Sequence, residues 1–289
     1  MLTQNAEIFV IFQSIVFCLK IKSNSKSEFS PYLIQENIAA VAIRNISFSG
    51  LGQVVSHWLN SQYLTLTIDQ SVIGLILATL YHDESVQTVE SGFLKFLHLL
   101  SFTNFEEKYL ILGPPEDFDS EKLTHFQFDF KTKRAKFPPL ALVSKQDLES
   151  RATRDLSETY LVRLVNCARA TLHQINQNLN FDGIIQEKFA ISEDGFDAVM
   201  SLKPFQIPTD SKFGKCENPS VFPIVNYDPV KLFWNEIQES FGNEVQFYFN
   251  AKLLKIGLKF KEKSEMKVIL EDLQILGKDL IKDATVVKC

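Results

Sequence analysis

The apolar residues of this chain change their period part-way along it. From Pro31 to about His98, and again from Asp155 to Leu179, they recur at helical spacing. At Phe196–Lys203, Val245–Phe249 and Leu254–Phe260 they alternate instead. Such an order predicts an α+β protein: a mainly helical domain over about 31–180, then a small sheet with helices on one face over 181–289. The boundary is expected between about 174 and 184.

Within the helical part, Leu51, Val54, Val55, Trp58 and Leu59 share one face, and Phe93, Phe96, Leu97 and Leu100 share another. Ser71–Tyr81 is apolar nearly all round, which marks a central buried helix. Pro114-Pro115 and Pro138-Pro139 bracket a stretch of less regular pattern; Tyr109–Leu112 before it and Leu140–Val143 after it read as strands. The long helix then places Leu156, Tyr160, Leu164, Ala168, Thr171, Leu172, Ile175 and Leu179 on one stripe, with Arg163 and Arg169 off it. Asn180–Gly183 is expected to end it.

The last quarter is the most explicit. Asp228-Pro229 predicts a helix start: the carboxylate accepts free first-turn N–H groups, and proline has none to strand. Gly242 is expected to stop that helix in a left-handed turn. After the two alternating segments, Met266, Ile269, Leu270, Leu273, Leu276 and Leu280 predict one amphipathic helix reaching about Asp283. At the other end, Glu7–Lys22 reads as one or two strands, broken by the polar run Ser23–Ser30. A strand pair cannot bury itself, so it either docks on a later domain or belongs to a domain whose front half is missing, and the second is expected.

The 25 phenylalanines imply a large aromatic core or contacts with a partner. A net charge of −5 leaves only local footprints for nucleic acid. Cys18, Cys167, Cys216 and Cys289 are scattered, which suits a reducing compartment and builds neither a zinc knuckle nor a disulfide frame. Ile8–Leu19 is apolar but too short to span a bilayer and poorly built as a signal peptide. No membrane partner is expected.

Motifs for chemistry are weak. Gly50-Leu51-Gly52 lacks the third glycine of a dinucleotide fingerprint and the Lys-Ser/Thr of a phosphate loop. Asp117-Phe118-Asp119 has the spacing used to hold two magnesium ions, but no Gly-Ser element precedes it, so a solvated acidic loop is expected. His57, His82, His98, His125 and His173 show no metal-ligand spacing, and His98 is expected as a hydrogen-bonded core histidine. Cys167 is expected to be packed rather than nucleophilic. No catalytic, cofactor or metal residues are assigned. Two basic features remain: Lys131, Lys133, Arg134 and Lys136, and the alternating Lys255, Lys259 and Lys261 on one strand face. Either could track phosphates of RNA, and either could be a solvated or edge-protecting face.

Several stretches, in the same order, resemble the C-terminal part of the nucleolar RNA-associated protein (Nrap) family. Glu7–Lys22 resembles the closing strands of a nucleotidyltransferase-like domain. Leu51–Leu64, with His57-Trp58-Leu59, and Gly92–Leu97 with the following Ser-Phe-Thr-Asn-Phe resemble a PAP/OAS1-like domain, the helical domain of poly(A) polymerases and oligoadenylate synthetases. Phe196–Pro208, Tyr227-Asp228-Pro229 and Ile269–Leu273 resemble the final domain of the family. Two places depart from the pattern: Ala251–Lys263 lacks the Gly-rich strand ending in Trp-Lys-Pro, and Thr103-Asn104-Phe105 stands where the core motif continues with Asp-Trp.

The resemblance implies a fold related to tandem class I CCA-adding enzymes without working catalytic residues. It implies a non-catalytic scaffold in the nucleolus, contacting small-subunit processome proteins and pre-rRNA during early 18S rRNA processing, with no cofactor or small-molecule substrate. Family proteins are much longer, so a C-terminal fragment is expected, with Glu7–Lys22 a remnant of the preceding domain. Two other readings stay open from the residues: a fragment of a poly(A) polymerase or CCA-adding nucleotidyltransferase, and a protein-only interaction module.

Overall fold

A computed structural model describes residues 7–12, 15–20, 31–81, 86–113, 115–177, 193, 195–204 and 228–287. Expectations for Asn180–Gly183, for most of the loop Pro204–Pro223 and for His82, Cys216 and Cys289 lie outside those residues. The chain forms two compact units. One comprises Phe29–Glu193 with Tyr248–Lys252; the other comprises Met1–Glu28, Asp194–Phe247 and Leu253–Cys289.

In the helical unit, α1 (Pro31–Arg44), α2 (Ser47–Ser61), α3 (Gln70–Thr79) and α4 (Val89–Phe102) follow one another. Local chemistry starts two of them. Asp69 accepts the Ser71 N–H at 2.7 Å ahead of α3, and Thr88 forms a capping box with Ser91 ahead of α4. The predicted faces are the buried ones: Leu51, Val55, Trp58 and Leu59 on α2, and Phe93, Phe96, Leu97 and Leu100 on α4. Helix α3 buries Val72, Ile73, Leu75, Ile76, Leu77 and Ala78, as an all-round apolar helix must. Helix α6 (Glu158–Gln177) completes the core with Leu161, Leu164, Ala168, Leu172 and Ile175. Its one polar stripe residue, Thr171, accepts the indole N–H of Trp58 at 2.9 Å. The Trp58 ring meets Phe93 and Phe96 edge-on, with centroids 6.3 and 5.8 Å away.

Strands β3 (Leu110–Leu112) and β4 (Leu142–Ser144) pair in parallel, Leu110 against Leu142. Between them, where no regular element is predicted, lies helix α5 (Ser120–Thr132). Its Phe126 and Phe130 pack with Tyr109, Phe137, Ala141 and Val143. Phe126, Phe128 and Phe130 alternate in sequence like strand residues, which hides the helix. Residues 248–252 finish this unit: the Thr65 N–H bonds the Phe249 carbonyl at 3.2 Å, and Asn60 Oδ1 accepts the Ala251 N–H at 3.0 Å.

At the start of the chain, β1 (Glu7–Phe12) and β2 (Ile15–Lys20) pair antiparallel, Glu7 against Lys20. After them β5 (Ala198–Leu202), α7 (Pro229–Phe241), β6 (Val245–Asn250), β7 (Lys255–Phe260), α8 (Met266–Leu276) and β8 (Ile281–Val286) follow in a β-α-β-β-α-β order, all in the same unit as β1 and β2 except residues 248–250 of β6. The sheet reads β6-β7-β5-β8, with β5 antiparallel to both neighbours, and this is the ferredoxin-like arrangement. Ala198, Met200, Ile256 and Leu258 are wholly buried, opposite helix residues Phe233, Trp234, Ile237, Ile269 and Leu273. Asp228 caps α7 as predicted, accepting from Val230 N at 3.0 Å and Lys231 N at 3.1 Å.

Two expectations fail here. Gly242 is right-handed (φ −64°), and glycine is needed because a Cβ would strike the Gln238 carbonyl oxygen. Helix α8 stops at Leu276 rather than near Asp283. Gly277 caps the helix, packed so closely against Ile281 and Phe233 that a Cβ would collide with them, and residues 281–286 then pair with β5. Of the predicted stripe, Ile269 and Leu273 are buried, and Leu276 is exposed.

Candidate nucleic-acid interface

Asp117 and Asp119 have the spacing suited to metal chemistry. Phe118 is buried, which turns its two neighbours outward. Asp119 caps α5, its Oδ1 accepting from Glu121 N at 3.1 Å and Lys122 N at 3.2 Å. The Lys122 N–H holds this carboxyl below its usual pKa against an opposing effect of desolvation, aided by the Lys122 charge and the Glu121 N–H. Asp119 therefore starts a helix, a role its position before Ser-Glu-Lys announces. Among the described residues, no group of three His, Cys, Asp or Glu is placed to hold a metal ion.

His98 is exposed, contrary to expectation. It lies on the outer face of α4 with its ring 5.2 Å from that of Phe102. Phe96, Leu97 and Leu100 take the inward positions, so the helical register turns His98 to solvent. Cys167 is half-buried as expected; burial raises its thiol pKa, opposed by the Arg163 charge, so the reactive thiolate is disfavoured.

The first basic cluster sits at the end of α5 and the short turn Arg134–Lys136. Its four cations have different tasks. The Arg134 guanidinium donates to the carbonyls of Glu106 (3.1 Å), Phe137 (3.1 Å), Phe105 (3.0 Å) and Pro139 (2.7 Å). It also lies over the Phe130 ring, 5.0 Å from its centroid. Arg134 is thus a clamp between two loops. Lys133 pairs with Asp129 at 2.8 Å. Lys131 and Lys136 stand in solvent. The sequence signal for the clamp was absent, since it depends on carbonyls brought back by the fold.

The second cluster lies on β7. Ser201 faces Lys255 and Val199 faces Gly257, so Lys255 and Lys259 project from the sheet face opposite the Ile256–Leu258 core. Lys261 follows immediately after the strand, exposed, its N–H bonded to the Glu244 carbonyl at 2.9 Å. Phe196 lies against Gly257 between the two strand lysines, where any Cβ would meet its ring. At one end Asp197 pairs with Lys263 at 3.0 Å and accepts the Phe260 N–H at 3.0 Å. Burial works to raise its pKa, but these two hydrogen bonds and the Lys263 and Lys259 charges hold it lower. No described helix is long and apolar enough to cross a membrane. The two lysine clusters belong to different units.

Comparisons with known proteins cover about half to three quarters of the chain. It is 26% identical over 230 residues to nucleolar protein 6 of Xenopus tropicalis, covering 71% of this chain and 20% of that protein. The human nucleolar protein 6 is 26% identical over 226 residues, again 71% of this chain and 20% of the relative. In Drosophila melanogaster the figure is 21% over 243 residues, 76% of this chain and 20% of the relative. The chain therefore spans about a fifth of the length of these relatives. The family model described as Nrap protein PAP/OAS1-like domain 5 matches residues 46–190, the helical stretch from the start of α2 to beyond α6. With that match extending over half of its length, the chain belongs to the Nrap family.

Proposed function

We propose that this chain is a non-catalytic scaffold segment of a nucleolar ribosome-biogenesis factor. It works within the small-subunit processome during early 18S pre-rRNA processing, through contacts with processome proteins and pre-rRNA. Family membership and relatives named nucleolar protein 6 support the setting. The observation that most supports a scaffold role is the use made of the best chemical candidate: Asp119, half of the Asp-x-Asp pair, is a helix cap. The exposed lysines of the two basic clusters support an RNA contact made through phosphates.

The rival nucleotidyltransferase reading is tested by incubating the purified chain with RNA, magnesium and labelled nucleotide. The scaffold reading expects no incorporation above the protein-free control; template-independent extension of the RNA would overturn it. Depleting the protein in cells is expected to accumulate 18S precursors with large-subunit RNA spared. Unchanged 18S maturation would remove the processome role.

A further inference from the structure

Two phenylalanines stand largely in solvent among the described residues, Phe102 (72%) and Phe128 (63%). The ring of Phe102 leans on His98. Phe128 lies on the outer face of α5, opposite Phe126 and Phe130, which are buried in the aromatic cluster below. Such a ring gives the fold nothing while it stands in water, and only its neighbours can mark it as part of a binding surface.

The neighbours on that face say what kind. Thr124 and His125 precede Phe128 by one turn, and Lys131 and Thr132 follow by one turn, all exposed. An anchor for a protein partner sits among other apolar residues that exclude water; here the ring is ringed by polar and cationic groups. That setting matches a nucleobase, which needs one flat apolar face and anionic phosphates on either side. Lys131 stands about 4.5 Å further along the helix axis than Phe128, on the same face. Lys136 follows on the turn that Arg134 fixes through the Phe137 and Pro139 carbonyls. Lys133 is already engaged by Asp129.

We propose that the exposed face of α5 binds single-stranded RNA, with one base stacked on Phe128 and the adjoining phosphates on Lys131 and Lys136. Arg134 is a positioning residue for this site. The inference rests on the RNA contact proposed above and locates it on the helical unit.

The test uses the full chain and an end-labelled oligouridylate of about twelve nucleotides, followed by fluorescence anisotropy over a range of salt. Phe128→Ala is expected to weaken binding about ten-fold without lowering the melting temperature, since the ring supports nothing beneath it. Phe128→Trp is expected to restore binding and to add indole emission that RNA quenches beyond any quenching in the wild type. Changing Lys131 and Lys136 to Ala is expected to lower the slope of log affinity against log salt by about 1.4. If the wild type binds and both sets of variants bind equally well, the α5 site is wrong. Loss of binding with Lys255→Glu, Lys259→Glu and Lys261→Glu would then place RNA on β7 and leave the broader reading standing. A wild-type chain that binds no RNA at all overturns the RNA contact and this site together.

Discussion

Arg134 shows how a residue type can mislead until its partners are known. In sequence it is the third of four cations in six positions and reads as part of a phosphate-binding run. In the fold its donors meet four backbone carbonyls from two loops. Arg134→Lys keeps the charge but cannot reach four acceptors from one nitrogen. It is expected to destabilise the helical unit by about 3 kcal/mol, measured from the urea midpoint. Asp197 makes a pH-dependent contribution of known sign. Its pKa is lower in the folded chain, so its stabilising effect is complete above the unfolded carboxyl pKa of about 3.9 and fades as pH falls through the folded value. Asp197→Asn is expected to flatten that acid limb of stability, measured by urea unfolding at stepped pH. An unchanged acid limb would mean that the Lys263 pair does not matter.

At the scale of elements, caps and breakers decide most boundaries. Asp119→Ala removes the acceptor for two first-turn N–H groups and is expected to lower the midpoint of a thermal melt. Leu273 is fully buried on α8, so Leu273→Asp places an unpaired carboxylate in the core. Circular dichroism is expected to show the C-terminal unit unfolded, with the helical unit largely retained. Helices α2, α3, α4 and α6 were legible because their apolar residues sit on one face or all round, and Asp228-Pro229 announced α7 chemically. Helix α5 was not, because its inward residues Phe126 and Phe130 share an alternating run with the outward Phe128. The end of α8 was misread because Leu276 and Leu280 continue the helical spacing past Gly277, whose close packing against Ile281 is a tertiary fact. The lysines of β7 were legible from alternation, whereas the Phe196 ring between them was not.

For the whole molecule, the helical unit is not a continuous stretch of chain, because it takes in residues 248–252. Within it Arg163 lies over the Tyr248 ring at 4.3 Å, and Tyr160 meets the same ring edge-on at 5.8 Å. A fragment ending at Glu193 loses this ring and the partners of Thr65 and Asn60. Its helical unit is therefore expected to melt below that of the full chain in scanning calorimetry, and an equal melting temperature would show those residues to be dispensable. The helical unit contains the whole family match, residues 46–190, and takes in the distant segment 248–252 besides. The most direct measurement is sedimentation of the epitope-tagged chain from cell lysate on a sucrose gradient, with the RNA in each tagged fraction probed for 18S precursors. A scaffold of early small-subunit assembly is expected in fast-sedimenting fractions that carry those precursors. A chain confined to the top of the gradient, free of pre-rRNA, would contradict it.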